Sequence, residues 1–232
     1  MTGLRERKKQ RTRDALVRAA HELFVEQGYE TTTVDEIVAA VDVSQRTFFR
    51  YFSSKEEVAF SLQRLVSERF LEAVRQRPPG GSPVEVLRST LVETWGSIGE
   101  AIEEIAPIQL YMRMWQIIET TPSLIAVHLR HSMEMEEQLA AEVARREGLD
   151  LDDDPRPRVL VAAFSGVMRA AIRSWSGGED ISVSAARQAV ESYVAQLGPA
   201  LSQDWSTGGT SPSHVVSAAA LTARPPGTPS SN

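Results

Sequence analysis

Apolar residues recur at helical spacing along most of the chain. Leu16, Ala19, Ala20, Leu23 and Phe24 form one stripe, which predicts a first helix from about Arg7 to Gln27 with Gly28 as its stop. Thr33-Val34-Asp35-Glu36 fits a capping box, Ser44 is placed to cap a further helix, and Ser54-Lys55-Glu56-Glu57 fits another box. These starts lie so close together that the helix after Ser44 is barely two turns long. A helix that short is not stable alone in water, so its neighbours must hold it. A fourth helix, from Ser54 through Val58, Leu62, Leu65 and Phe70 to about Arg75, ends at Pro78-Pro79-Gly80-Gly81.

Beyond that break the pattern stays helical, with segments near 83–104, 108–120, 122–147, 157–176 and 183–201. Pro107, Pro122, the acidic loop from Asp150 to Pro157, and Gly177-Gly178 separate them. No segment sustains a two-residue alternation, so the expected fold class is all-α. A three-helix helix-turn-helix unit with a basic arm (1–54) leads through a connecting helix (55–77) to a larger helical domain (82–203). From Trp205 onward Ser, Thr, Gly and Pro dominate, which predicts a disordered tail over 204–232.

The net charge of −6 speaks against nucleic acid only if it is spread evenly. It is not. Residues 1–77 carry 14 basic and 12 acidic side chains against 11 and 19 in the remainder, and the stretch from Ser44 to Lys55 holds Arg46, Arg50 and Lys55 with no acid. An acidic body is repelled by phosphate and turns the basic end toward it. The chain of 232 residues, 42% hydrophobic, suffices for a small N-terminal unit and one larger core. It has no cysteine, which excludes disulfides, thiol catalysis and cysteine zinc sites and fits a reducing cytoplasm. No apolar run has membrane-spanning length and no signal peptide is apparent.

If Phe48 and Phe52 face inward, Gln45, Arg46, Phe49 and Arg50 face outward, where Gln can pair with adenine, Arg with guanine, and an aromatic can touch a thymine methyl. Arg46 and Arg50 could instead hold phosphate, and Phe49 could equally pack.

The run Thr32-Thr33-Val34 with Ile37, then Val43-Ser44 and Thr47, then Phe49-Arg50-Tyr51-Phe52-Ser53-Ser54-Lys55-Glu56 resembles the TetR family of transcriptional regulators over roughly residues 8 to 60. Val38, Asp42 and Arg46 stand where that family often has Ala, Gly, and Gly or Pro. Asp tolerates the left-handed turn better than most residues, so Asp42 is compatible with it. The resemblance implies phosphate contacts from Thr33, Ser44, Thr47, Tyr51 and Lys55, a homodimer on a palindromic operator of double-stranded DNA, and repression relieved by a small-molecule effector.

The larger domain gathers every Met beyond Met1, with Trp95, Tyr111, Trp115, Phe164 and Trp175. Thioethers and rings suit an adaptable apolar pocket, though they also fill ordinary cores. The expected lining is Trp95, Tyr111, Met114, Trp115, Ile118, Met133, Phe164 and Met168. A likeness of the segment RMWQIIETTPSL to regulators with acyl-CoA or fatty-acyl effectors makes such a molecule a candidate effector. His128, His131 and Glu134 share a helix face, which leaves a metal-responsive regulator as an alternative, although no further ligand stands out and no resident metal or cofactor is expected. A ligand-independent DNA binder is the other alternative. Small and apolar residues such as Val159, Ala163, Gly166, Val167, Ala170, Val190, Val194 and Leu197 fit a close helix interface. No Gly-rich phosphate loop and no nucleophile, His and acid set is present, so an enzyme is not expected.

Overall fold

The computed structural model describes residues 3–202, and among these no strand occurs. The tail expected to be disordered lies outside the described residues. The helices are α1 (Leu4–Gln27), α2 (Val34–Ala40), α3 (Gln45–Phe49), α4 (Lys55–Ala59), α5 (Ser61–Gln76), α6 (Pro83–Glu103), α7 (Ile108–Thr120), α8 (Pro122–Glu147), α9 (Arg156–Ser176), α10 (Val183–Ala195) and α11 (Pro199–Ser202).

Local chemistry sets most boundaries. Ser82 and Ser182 accept the backbone N–H groups of Glu85 and Ala185 and so cap α6 and α10. Pro83 and Pro122 occupy first-turn positions, where a missing N–H costs nothing. Gly148, at φ 66°, closes α8 in a left-handed turn. Two expected continuous helices are interrupted. The helix after Ser54 breaks at Phe60, whose N–H reaches back to the Glu56 and Val58 carbonyls, and the last long helix breaks between Ala195 and Pro199.

Leu16, Val17, Ala20 and Phe24 of α1 pack with Ile37, Phe48, Phe52 and Val58 in one core, which continues into α7 through Met114 and Ile118. Burying each phenylalanine stabilises the fold by about 1.5–3 kcal/mol, enough to hold α3 although it has only five residues. A second core joins α5, α6, α8, α9 and α10 around Leu71, Leu87, Val161 and Phe164. Arg18 of α1 donates from Nε and Nη2 to the Ile105 carbonyl, both at 3.0 Å, and ties α1 to the turn before α7. Arg146 of α8 likewise donates to the Val74, Arg77 and Pro78 carbonyls at the end of α5.

Candidate functional site

The α2–α3 unit is held by its own side chains. Thr33 accepts from the Glu36 N–H at 3.2 Å while the Glu36 carboxylate accepts from the Thr33 N–H at 2.7 Å, so the capping box is complete. Asp42 carries the left-handed turn at φ 55°. Ser44 caps α3 through the Thr47 N–H. Ser54 caps α4 through the Glu57 N–H, but the return bond is displaced by one residue. The Glu57 carboxylate accepts from the N–H and hydroxyl of Ser53, at 2.5 and 2.6 Å. These hydrogen bonds hold the Glu57 carboxyl below its usual range against the opposing effect of partial burial.

Phe48 and Phe52 are buried, whereas Phe49 is 53% exposed and Gln45, Arg46 and Arg50 lie in solvent beside it. The Gln45 amide donates to the Asp35 carboxylate, which fixes its direction. The Arg50 guanidinium lies 5.0 Å from the Tyr51 ring centre. Lys55 is placed differently from an open phosphate donor. Its ammonium donates to the Tyr29 and Thr32 carbonyls at 2.8 and 2.9 Å and sits 4.2 Å from the Tyr29 ring centre, so it fastens the α1–α2 loop to α4.

A cavity of about 370 Å³ lies among α5, α6, α7, α8, α9 and α10. Trp95, Tyr111, Trp115, Phe164 and Met168 line it. Met114 and Ile118 do not. They sit on the opposite stripe of α7, fully buried in the core shared with α1. Met133 is also off the wall, 70% exposed, because His131 and Met135 on either side of it turn inward. Sequence reasoning missed Phe60, Gln63 and Phe70, which bring α5 into the wall.

The histidines serve ring packing. His128 stacks on Phe60 at 6.3 Å and meets Trp115 edge-on at 5.2 Å, and His131 meets Phe60 edge-on at 5.2 Å. Burial depresses both imidazoles, which are therefore neutral near pH 7. Among the described residues no three His, Asp or Glu side chains converge as metal ligands. Burial pushes the Tyr111 phenol up to about 12.

Two family profiles match. Residues 16–62 match "Bacterial regulatory proteins, tetR family" and residues 82–202 match "MftR C-terminal domain". TcmR of Streptomyces glaucescens, an HTH-type transcriptional regulator, is 46% identical over 203 residues, which cover 88% of this chain and 90% of TcmR. A transcriptional regulator from Aquifex aeolicus superposes with a TM-score of 0.51 at 15% identity, covering 82% of this chain and 99% of that one. A protein from Syntrophomonas wolfei, described as a TetR-family regulator, gives 0.58 at 16% identity over 82% and 96%. These two likenesses establish the fold alone.

Proposed function

Because the chain belongs to the TetR family of DNA-binding transcriptional regulators, which are not enzymes, we propose that it is a homodimeric repressor working in the cytoplasm and released from a palindromic operator by a small apolar or amphipathic effector. The observation that carries the proposal is that α5 has one end in the DNA-reading unit and one face in the cavity. Phe60, Gln63, Ser67 and Phe70 line the cavity. The Ser61 hydroxyl donates to the Val58 carbonyl at 2.8 Å, and the same carbonyl meets His21 of α1 at 3.2 Å. A molecule that fits the cavity better in one position of α5 favours one spacing of the DNA-reading heads, which is the only way a ligand can shift that equilibrium.

At the DNA, Gln45, Arg46, Phe49 and Arg50 read base edges, while Thr33, Ser44, Thr47 and Tyr51 hold phosphates. Lys55 acts chiefly by holding the loop beside them. One such unit contacts too few base pairs for useful affinity at cellular salt, which favours a two-fold pair. The outward stripe of α9, with Val159 65% exposed and Gly166 open, supports that pairing. Fluorescence anisotropy on the DNA upstream of the gene tests the proposal, with a panel of apolar and acyl compounds added. The expected result is tighter binding than to unrelated DNA, weakened by a compound that also raises Tm. Equal affinity for both DNAs overturns it.

A further inference from the structure

The cavity wall is not uniformly apolar. Gln63 on α5 is 6% exposed and Trp175 on α9 is 4% exposed, and both line the cavity. Among the described residues neither the amide of Gln63 nor the indole N–H of Trp175 has a hydrogen-bond partner. Buried groups of this kind are costly to leave unpaired, and a fold that needed only a core would place apolar side chains there. The two residues stand on different helices and line one space.

The charges around that space narrow what can satisfy them. Its lining includes Arg64 and Arg169 but also Glu68, Glu119 and Glu134, a net charge of −1 with neutral histidines. Arg169 is already paired with Glu136 at 2.5 Å and Glu119 with Arg173 at 3.4 Å, while Arg64, Glu68 and Glu134 are exposed. A carboxylate or phosphate drawn inside would therefore meet no unpaired interior cation, which is unfavourable in a low-dielectric site. The remaining walls mix rings, from Phe60, Trp95, Tyr111, Trp115 and Phe164, with aliphatic side chains such as Leu91, Ile98 and Ile172.

We infer that the cavity takes an uncharged apolar molecule bearing a carbonyl-type oxygen, which accepts from the Trp175 indole and the Gln63 amide, and does not take a fatty acid or acyl-CoA. The inference deepens the proposed effector site and rests on that reading only for its regulatory consequence.

Calorimetric titration of the full chain with 9-fluorenone, with fluorene, which has the same ring skeleton but no oxygen, and with decanoate tests it. Fluorenone should bind roughly tenfold more tightly than fluorene, the discrimination expected when buried donors find an acceptor. Gln63→Leu with Trp175→Phe should bring that ratio to about one or below. Either single variant serves if the double variant fails to fold. The ligand-free Gln63→Leu protein should melt higher than wild type, because a buried unpartnered amide is removed. Equal affinity for the two ring compounds, binding of neither, or tighter binding of decanoate overturns the inference. Operator affinity, measured on the same preparations, reports separately on the regulator reading.

Discussion

His21 offers a quantitative test of how the DNA-reading unit is held. The side chain is fully buried on α1, with Nε2 3.2 Å from the Val58 carbonyl, so Nε2 donates and the neutral imidazole is the species that fits. Burial pushes its pKa down from 6.5 to about 4, opposed but not offset by backbone bonds to Val58 and Ala59. As pH falls the unfolded chain takes up the proton first. The neutral-site contribution is therefore fully present above about 6.5 and is lost as pH falls toward 4. At roughly 1.4 kcal/mol per pH unit, the loss between pH 7 and pH 5 integrates to about 2 kcal/mol. His128 and His131 are depressed as well and add to the wild-type slope with the same sign. The difference between wild type and His21→Leu isolates the buried residue. Urea unfolding at fixed protein concentration should show wild type losing about 2 kcal/mol more than the variant over this range. An unchanged pH slope in the variant would show that burial of His21 does not set the acid sensitivity.

Arg46→Ala should cost about 1–3 kcal/mol of operator binding and relax preference at one position, whereas Lys55→Ala should weaken all sequences alike and also lower Tm, because it releases the Tyr29 and Thr32 carbonyls. Competition titrations and melting curves separate the two, and matching behaviour of both variants would contradict the assignment. Gly166→Arg should fold but run as a monomer in light scattering, since a Cβ there meets only Arg169 Nη2 at 4.0 Å within the protomer, and an unchanged dimer mass removes α9 from the interface. Met168→Trp should fill part of the cavity and leave DNA binding unresponsive to any compound that weakens it in wild type, and preserved response would place the effector elsewhere.

Local chemistry was readable wherever a helix boundary rests on one residue. Thr33, Ser44, Gly28 and the prolines mark ends that the structure reproduces, and the i, i+4 pair Phe48 and Phe52 correctly assigns the exposed face of α3. What depends on distant partners was not readable. The interruption at Phe60 lies in a continuous apolar pattern, and its ring is engaged by His128 and His131, nearly seventy residues away in sequence. Periodicity finds two apolar stripes on α7 but does not say which faces a cavity, and so Met114 and Ile118 were expected on the wrong side. Gln63 gives no apolar signal in the sequence, and only the fold buries it at the cavity wall. Lys55 follows the helix-cap pattern of a phosphate donor, and only the fold brings the Tyr29 and Thr32 carbonyls to it.

The proposed homodimer sets two copies of α3 on one symmetric stretch of DNA, and footprinting of the wild-type protein on the DNA upstream of its gene tests that arrangement. The expected result is a protected region with two-fold sequence symmetry, its half-sites on one face of the duplex and separated by about a whole number of helical turns. Protection without symmetry, or none that survives competition by unrelated DNA, would contradict the account.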